Sequence, residues 1–457
     1  MTGASHMLTD TLRHAIDVAS NAVWGPWMLV LLLGTGVYLT LRLRFVQVTH
    51  FARGLRAMVP VRASGEGTLS PFQAFMTALG ASIGTGNIAG VATAIVSGGP
   101  GALFWIWVYG FFATAIKFCE AVLGIRYRQV HDGRLSAGPM HYLKEGLGSR
   151  GLAWLYALVA GVAALTTTPF TQPNSMAVVL QSQFSLPPLV SGVVIAVLAW
   201  LVIIRGVKSI GRAAERLAPL KVGLYVVGGL IVILVHVRQL PGVLALVLRE
   251  AFSLQAAAGG AAGVGMLTAM RYGIARGIYA NEAGYGTAAV AYGTARTDNP
   301  VRQGLQAVME VFIVSCVTST LSALVILVSG AWTSGLTSTA VVAQAFNTAL
   351  PTVGGWIVAF CAFLFGYTTL IGWAYYGEQF LEYAFGMRVT QPYRWLYCGL
   401  IVFGAMGKVE TIWAWGDLMN GLQVFPNLVG LLGLSGVAAS VLRPAPAPQS
   451  ASQTPAV

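Results

Sequence analysis

The sequence predicts an all-α integral membrane protein whose helices include two that are broken at mid-span. Three observations carry this. Hydrophobic residues make up 56% of the 457 and charged residues only 9%, with a mean hydropathy of +0.72, whereas a soluble domain carries about 25% charged residues. Apolar runs of about 20 residues, enough to cross a bilayer, recur eleven times along the chain. Two of these runs are interrupted by glycine-rich, polar segments at matching places.

Taken in order, the runs lie near 24–41, 70–96, 101–123, 151–180, 187–204, 216–236, 262–292, 305–329, 353–381, 394–409 and 412–435. The net charge of +12 could indicate nucleic acid as a partner, but its distribution follows the positive-inside rule instead. Arg42, Arg44, Arg53, Arg56 and Arg62 follow the first run, and Arg126, Arg128, Arg134, Lys144 and Arg150 the third. Arg205, Lys208, Arg212, Arg216 and Lys221 are assigned to the loop after the fifth. Arg296, Arg302, Arg388, Arg394 and Arg443 complete a set of 20 of the 27 basic residues on alternate loops. This places the N-terminus outside, the C-terminus in the cytoplasm and the protein in the cell (inner) membrane, with lipid and not nucleic acid as its macromolecular surrounding.

With the first run set aside, ten remain, and five per half inverts one half relative to the other. The segment Gly80-Ala81-Ser82-Ile83-Gly84-Thr85-Gly86-Asn87 interrupts the run that opens the first half. Gly273 to Gly286, centred on Gly277, interrupts the run that opens the second. A broken helix frees amides and carbonyls that lipid cannot satisfy, so such breaks survive where they line a cavity. Paired breaks in inverted halves mark a transporter binding site at the membrane midplane. At the first break, free amides and a positive dipole end at Gly84, Thr85 and Gly86 suit a carboxylate. The carbonyls near Ala81 and Ser82 suit a cation, either a substrate ammonium or a hard ion such as sodium. Helix packing is the competing reading of the same glycines, because Gly80-xxx-Gly84 and Gly86-xxx-Gly90 both fit the small-xxx-small pattern. Asn87 beside Gly-Thr-Gly favours the functional one, since a polar amide in hydrocarbon is costly without partners.

Two further polar clusters lie within runs. Thr166 to Ser175 holds Pro169 and Pro173, which release backbone groups, together with Gln172 and Asn174; a kink patched by Thr hydroxyls is the alternative. In the ninth run, Thr368 and Thr369 offer hydroxyl oxygens to sodium, and Trp373 can wall a small pocket. Tyr375 and Tyr376 read as packing. Intramembrane charges are functional candidates by default. Lys117 and Glu120, at i and i+3, read as an internal ion pair or a snorkelling lysine, and Arg271, Arg276 and Glu282 flank the second break. Cys119, Cys316, Cys361 and Cys398 fall singly and show no metal or disulfide spacing. The opening Met1–Asp10 lacks a signal-peptide pattern.

The segments Pro71 to Leu79, Gly84-Thr85-Gly86-Asn87-Ile88-Ala89-Gly90, Gly98-Gly99-Pro100-Gly101, Arg276-Gly277-Ile278-Tyr279-Ala280-Asn281-Glu282-Ala283-Gly284 and Tyr375-Tyr376-Gly377-Glu378 closely resemble the sodium:alanine/glycine symporter family. The resemblance covers roughly residues 20–440. It implies a leucine-transporter-like fold, with eleven helices in a five-plus-five inverted core behind one extra helix. It also implies cotransport of alanine or glycine with sodium. Carried over residue by residue, Gly84, Thr85, Gly86 and Asn87 would line the substrate and ion site. Gln172, the Gly277–Asn281 segment (Gly277, Tyr279 and Asn281) and Trp373 would complete it. One departure stands at the second break, where the family typically has Phe-Ser and this chain has Tyr279-Ala280, so the hydroxyl at position 280 is lost.

The expected organisation is therefore an extracytoplasmic segment 1–23, an extra helix and basic loop 24–62, inverted repeats 63–249 and 250–440, and a disordered cytoplasmic tail 441–457. The expected activity is sodium-driven import of a small neutral amino acid, with sodium held by Ala81, Thr368 and Thr369 and no cofactor. A proton-driven transporter of the same fold, with Glu282 as the titrating group, is the alternative. No nucleophile–base pair, carboxylate pair or HExxH stands in the runs to suggest an enzyme.

Overall fold

The computed structural model describes residues 14–16, 18–131, 134–253 and 265–442. The opening segment Met1–Asp10 and the tail 444–457 lie outside the described residues. Helix α1 (Pro26–Arg42) precedes a broken pair, α2 (Pro71–Ser82) and α3 (Ala89–Gly98), and the long α4 (Ala102–Arg126). Then come α5 (Arg150–Thr166), α6 (Thr168–Phe184), α7 (Pro188–Ile203), α8 (Val207–Val235) and α9 (Leu240–Ala251). The remainder holds α10 (Met266–Asn281), α11 (Thr287–Gly293), α12 (Pro300–Val311), α13 (Thr320–Val328), α14 (Ser338–Ala349), α15 (Val353–Phe385), α16 (Thr390–Met406) and α17 (Val409–Gly433).

Each apolar run of the sequence contains helix. By length and apolarity, six helices among the described residues can cross a membrane, or seven when the bent pair α2–α3 is counted as one span. Large apolar side chains such as Leu234 and Phe403 remain on the outside, as expected where lipid is the solvent. The starts of the helices follow local chemistry. Ser70 and Gln73 form a reciprocal capping box on α2 with Pro71 in its first turn, and the Asn299 side chain caps α12 by accepting from Arg302 N.

α2 and α3 meet at a bend of 55°, where the glycine-rich segment predicts a break. The second break does not fall at Gly277. α10 continues to Asn281, and the chain turns over residues with left-handed backbone, Glu282 (φ 58°), Gly284 (φ 103°) and Gly286 (φ 83°). Gly277 lies inside the helix, where an added Cβ would stand 3.0 Å from the Tyr109 ring of α4. It is a packing glycine, and the break belongs to the three left-handed positions that follow it. α5 and α6 form a near-continuous rod interrupted at Thr167. There the Thr171 and Ser175 hydroxyls donate back one turn to the carbonyls of Thr167 and Thr171, each at 3.0 Å. A short antiparallel ladder, β1 (Gln129–His131) with β2 (Arg134–Ser136), occupies the basic segment after α4. Cys119, Cys361 and Cys398 are buried, and Cys316 is exposed.

Candidate binding site between two helix breaks

Every backbone group freed at a break must find a partner, and tracing those partners defines the site. At the first break the carbonyls come first. Ala81 O accepts from Thr369 Oγ1 at 2.6 Å, and Ser82 O accepts from Asn87 Nδ2 at 3.0 Å. Gly80 O and Ile83 O accept from Lys221 Nζ, at 2.9 and 2.5 Å. On the amide side, Thr85 donates from both N and Oγ1 to Gln172 Oε1, at 2.9 and 3.0 Å. The Gln172 carboxamide thus sits where the sequence predicts an anion.

The second break is held from α4. Lys117 Nζ donates to Asn281 O at 2.5 Å and to Ser82 Oγ at 2.9 Å, so one ammonium ties both breaks together. Its charge is matched by Glu310 at 2.7 Å, which also accepts from Tyr292 and Ser82 hydroxyls. Glu120 accepts from the amides of Gly284 and Gly286, at 2.8 and 3.0 Å, and from Asn427 Nδ2 at 2.8 Å. Lys117 and Glu120 therefore do not pair with each other, and neither side chain snorkels. Each runs to a different half of the break, cation to the freed carbonyl and carboxylate to the freed amides, as the dipole ends require.

Between the breaks lies a cavity of roughly 20 Å³, about the room one ordered water occupies. Gly84, Gly86, Gln172, Tyr279, Trp373, Ala81 and Thr369, all expected at the site, line it. Glu282 is the one ionisable carboxylate in the lining, and it accepts from Trp373 Nε1 at 2.6 Å and from Thr287 Oγ1 at 2.8 Å. Tyr279 closes one side: its hydroxyl donates to Thr171 Oγ1 at 2.6 Å and its ring packs on Trp413. Behind it Arg276 makes a two-pronged pair with Asp417, at 2.9 and 2.5 Å, and lies over the Trp413 ring. A second, larger cavity of about 880 Å³ opens among Arg205, Lys208, Arg296 and Arg394, on the face of the basic loops.

Other expected site residues stand behind the cavity wall. Thr85 contacts it through Gln172. Asn87 is fully buried and braces the break, its Oδ1 accepting from the hydroxyls of Thr318 and Ser319. Asn281 caps its own helix end through Ala283 N and donates to Ser315. Gly277 faces α4. Thr368 Oγ1 accepts from Lys221 Nζ at 2.5 Å. Ala280 is buried and is not among the residues lining the cavity. Lys221, expected in a basic loop, is 0% exposed in the middle of α8. Glu310 and Asp417 are absent from the sequence-based candidates, although single carboxylates in apolar runs carry the same signal as Glu120.

The glycines divide by what a side chain would meet. At Gly84 a Cβ would lie 2.6 Å from Thr369 Oγ1 and 2.9 Å from Gln172 Oε1, and at Gly86 2.7 Å from the Tyr279 ring. At Gly80 and Gly90 the nearest atoms are 3.6 and 3.8 Å away, ordinary contact distances. Gly80→Ala and Gly90→Ala are therefore expected to keep uptake within about two-fold of wild type, a change below about 0.5 kcal/mol. A ten-fold loss at either would restore the packing reading of the small-residue pattern.

Helix breaks that face each other across a small polar cavity, within a bundle of apolar helices, define a membrane transporter of the broken-helix class. The profile of the sodium:alanine symporter family matches residues 9–455. An uncharacterized transporter from Haemophilus influenzae is 40% identical over 435 residues, covering 94% of this chain and 95% of that protein. The sodium/alanine symporter AgcS of Methanococcus maripaludis is 39% identical over 436 residues, covering 93% and 95%. Among solved structures, a manganese transporter of Eremococcus coleocola superposes with a TM-score of 0.54 at 16% identity, over 83% of this chain and 82% of that one. At that identity the likeness speaks for the fold alone. The chain belongs to the sodium:alanine symporter family, and it is a multi-pass membrane transport protein.

Proposed function

We propose that this protein imports a small neutral amino acid, alanine or glycine, in symport with sodium, by alternating access around the cavity between the two breaks. The observation that carries the reading is the cavity's make-up. It has a hydrogen-bonding pole at Gly84–Gly86 with Gln172, a carboxylate pole at Glu282, and three rigid rings, Tyr279, Tyr285 and Trp373, around little space. A zwitterion presents one group to each pole: its carboxylate displaces the Gln172 carbonyl from the Thr85 amide, and its ammonium faces Glu282. In this closed form the cavity holds about one water, so the amino acid enters as the Gln172 carboxamide gives way, and the enclosing rings favour a side chain no larger than a hydrogen or a methyl group. In this reading the eleven apolar runs are eleven spans, five and five inverted behind the first, with the N-terminus outside. The large cavity on the basic face is then the cytoplasmic exit, and Arg276–Asp417 closes the outer side.

Support for the substrate comes from two relatives, a sodium/alanine symporter at 39% identity and a putative sodium/proton-dependent alanine carrier at 34%; a probable sodium/glutamine symporter at 35% supports sodium coupling but names a larger substrate. The test is uptake of labelled alanine and glycine into proteoliposomes, with competition by serine, glutamine, valine and leucine, under separate sodium and proton gradients. Saturable uptake that requires sodium and is blocked by small neutral amino acids is expected. Uptake driven by a proton gradient in sodium-free buffer would replace sodium coupling with the proton-driven alternative.

A further inference from the structure

We propose that the ammonium of Lys221 is the resident cation of the first helix break. It fills, as an ion tethered to α8, an oxygen cage of Gly80 O, Ile83 O and Thr368 Oγ1, which shares Thr368 with the set the sequence assigns to sodium, and the coupling sodium binds at other oxygens.

The cage has three walls. Gly80 O and Ile83 O come from the C-terminal end of α2, where the helix dipole places negative potential, and Thr368 Oγ1 comes from α15. Their distances to Lys221 Nζ are 2.9, 2.5 and 2.5 Å. A lysine ammonium has three donors and no acceptor, so three oxygens complete it. The Thr368 hydroxyl also lies within reach of the Leu364 carbonyl at 3.0 Å. Donating backwards to that carbonyl turns its lone pairs toward the cation, as a metal ligand would. The Phe365 ring adds a face 5.2 Å from Nζ.

The comparison with Lys117 separates a tethered ion from an ordinary buried ion pair. Both lysines are buried and both cap the carbonyl end of a broken helix. Lys117 has Glu310 at 2.7 Å. Lys221 has no carboxylate within 4.0 Å among the described residues, and its partners are neutral oxygens. An uncompensated buried charge is costly, and neutral oxygens at a dipole end are how proteins hold a bare alkali ion. The remaining carbonyls of the break, Ala81 O and Ser82 O, already accept from Thr369 and from Asn87. Removing the side chain at position 221 would therefore leave a vacant three-oxygen cage, not a collapsed core.

The proposal concerns the cation of the site treated above, and its test is separable from sodium coupling itself. Wild type, Lys221→Ala and Thr368→Val are compared in proteoliposomes by labelled alanine uptake and by counting bound ²²Na⁺ per protein. Lys221→Ala should lose about ten-fold or more of its uptake and regain it when methylammonium or ammonium chloride is added. It should also bind one more sodium than wild type. A monodisperse Lys221→Ala protein that binds no extra sodium, and that either transports normally or stays inactive with every added cation, would overturn the tethered ion. If Lys221→Ala does not fold, Thr368→Val decides. The proposal expects an unchanged number of bound sodium ions, because that hydroxyl serves the ammonium; loss of one sodium overturns it. Amine rescue of Lys221→Ala is expected whether or not wild-type uptake uses sodium, so failure of the symport reading is read independently.

Discussion

Gly86→Leu is expected to bring amino-acid uptake down to background while leaving a folded, monodisperse protein. The added Cβ alone would stand 2.7 Å from Cδ1 and 3.1 Å from Cε1 of Tyr279. That ring is not free to yield. Its hydroxyl is fixed on Thr171 at 2.6 Å and its face packs on Trp413 with centroids 4.9 Å apart. The new side chain must therefore take the cavity, which has room for about one water. Overpacking of this kind costs about 1–3 kcal/mol, enough to displace a ligand and too little to unfold a bundle of this size. Gly84→Ala should act in the same direction, since its methyl would lie against Thr369 Oγ1 and Gln172 Oε1. Uptake in membrane vesicles and a thermal-stability trace on the same preparations check both. Near-normal transport by Gly86→Leu would mean that substrate does not approach this backbone.

These glycines illustrate what the sequence made legible. A Gly-Thr-Gly-Asn run at the centre of an apolar stretch breaks a helix whatever surrounds it, so the first break and the cavity residues beside it were readable. The second was misplaced because Gly273 and Gly277 look the same as break glycines in a sequence. Only the fold reveals that they face Ala102 and Tyr109 of α4. The better cue was the alternation in Glu282-Ala283-Gly284-Tyr285-Gly286, where left-handed backbone is needed at every second residue. The polar residues were recognisable as costly, but their partners were not. Asn87 and Asn281 read as ligands and serve as braces, because the hydroxyls of Thr318, Ser319 and Ser315 that satisfy them come from a helix 34 or more residues further along the chain. Lys221 follows Arg212 and Arg216 closely enough to pass for part of a basic loop, but Leu220, Val222 and Leu224 around it mark an apolar helix.

Trp373 is expected to set substrate size, and two substitutions should separate its two contacts. Its ring lines the cavity, and its indole N–H donates to Glu282 Oε1 at 2.6 Å. Trp373→Phe keeps most of the wall and deletes the donor. A hydrogen bond to a charged group contributes about 1.5–3 kcal/mol, so the half-saturation concentration for alanine should rise by roughly 10-fold to 150-fold, with larger amino acids still excluded. Trp373→Ala removes donor and wall together. Alanine should bind at least as poorly as in Trp373→Phe, and valine and leucine should now compete for uptake. An open apolar pocket discriminates by only about 1–3 kcal/mol per methylene, whereas a rigid ring in a cavity this small excludes the larger side chain outright. The measurement is competition of labelled alanine uptake by unlabelled amino acids of increasing size in all three proteins. Wild type that already accepts leucine as readily as alanine would refute the small-cavity reading. A Trp373→Phe protein that admits leucine while holding alanine normally would show that the indole's bulk, and not its bond to Glu282, is what the site uses.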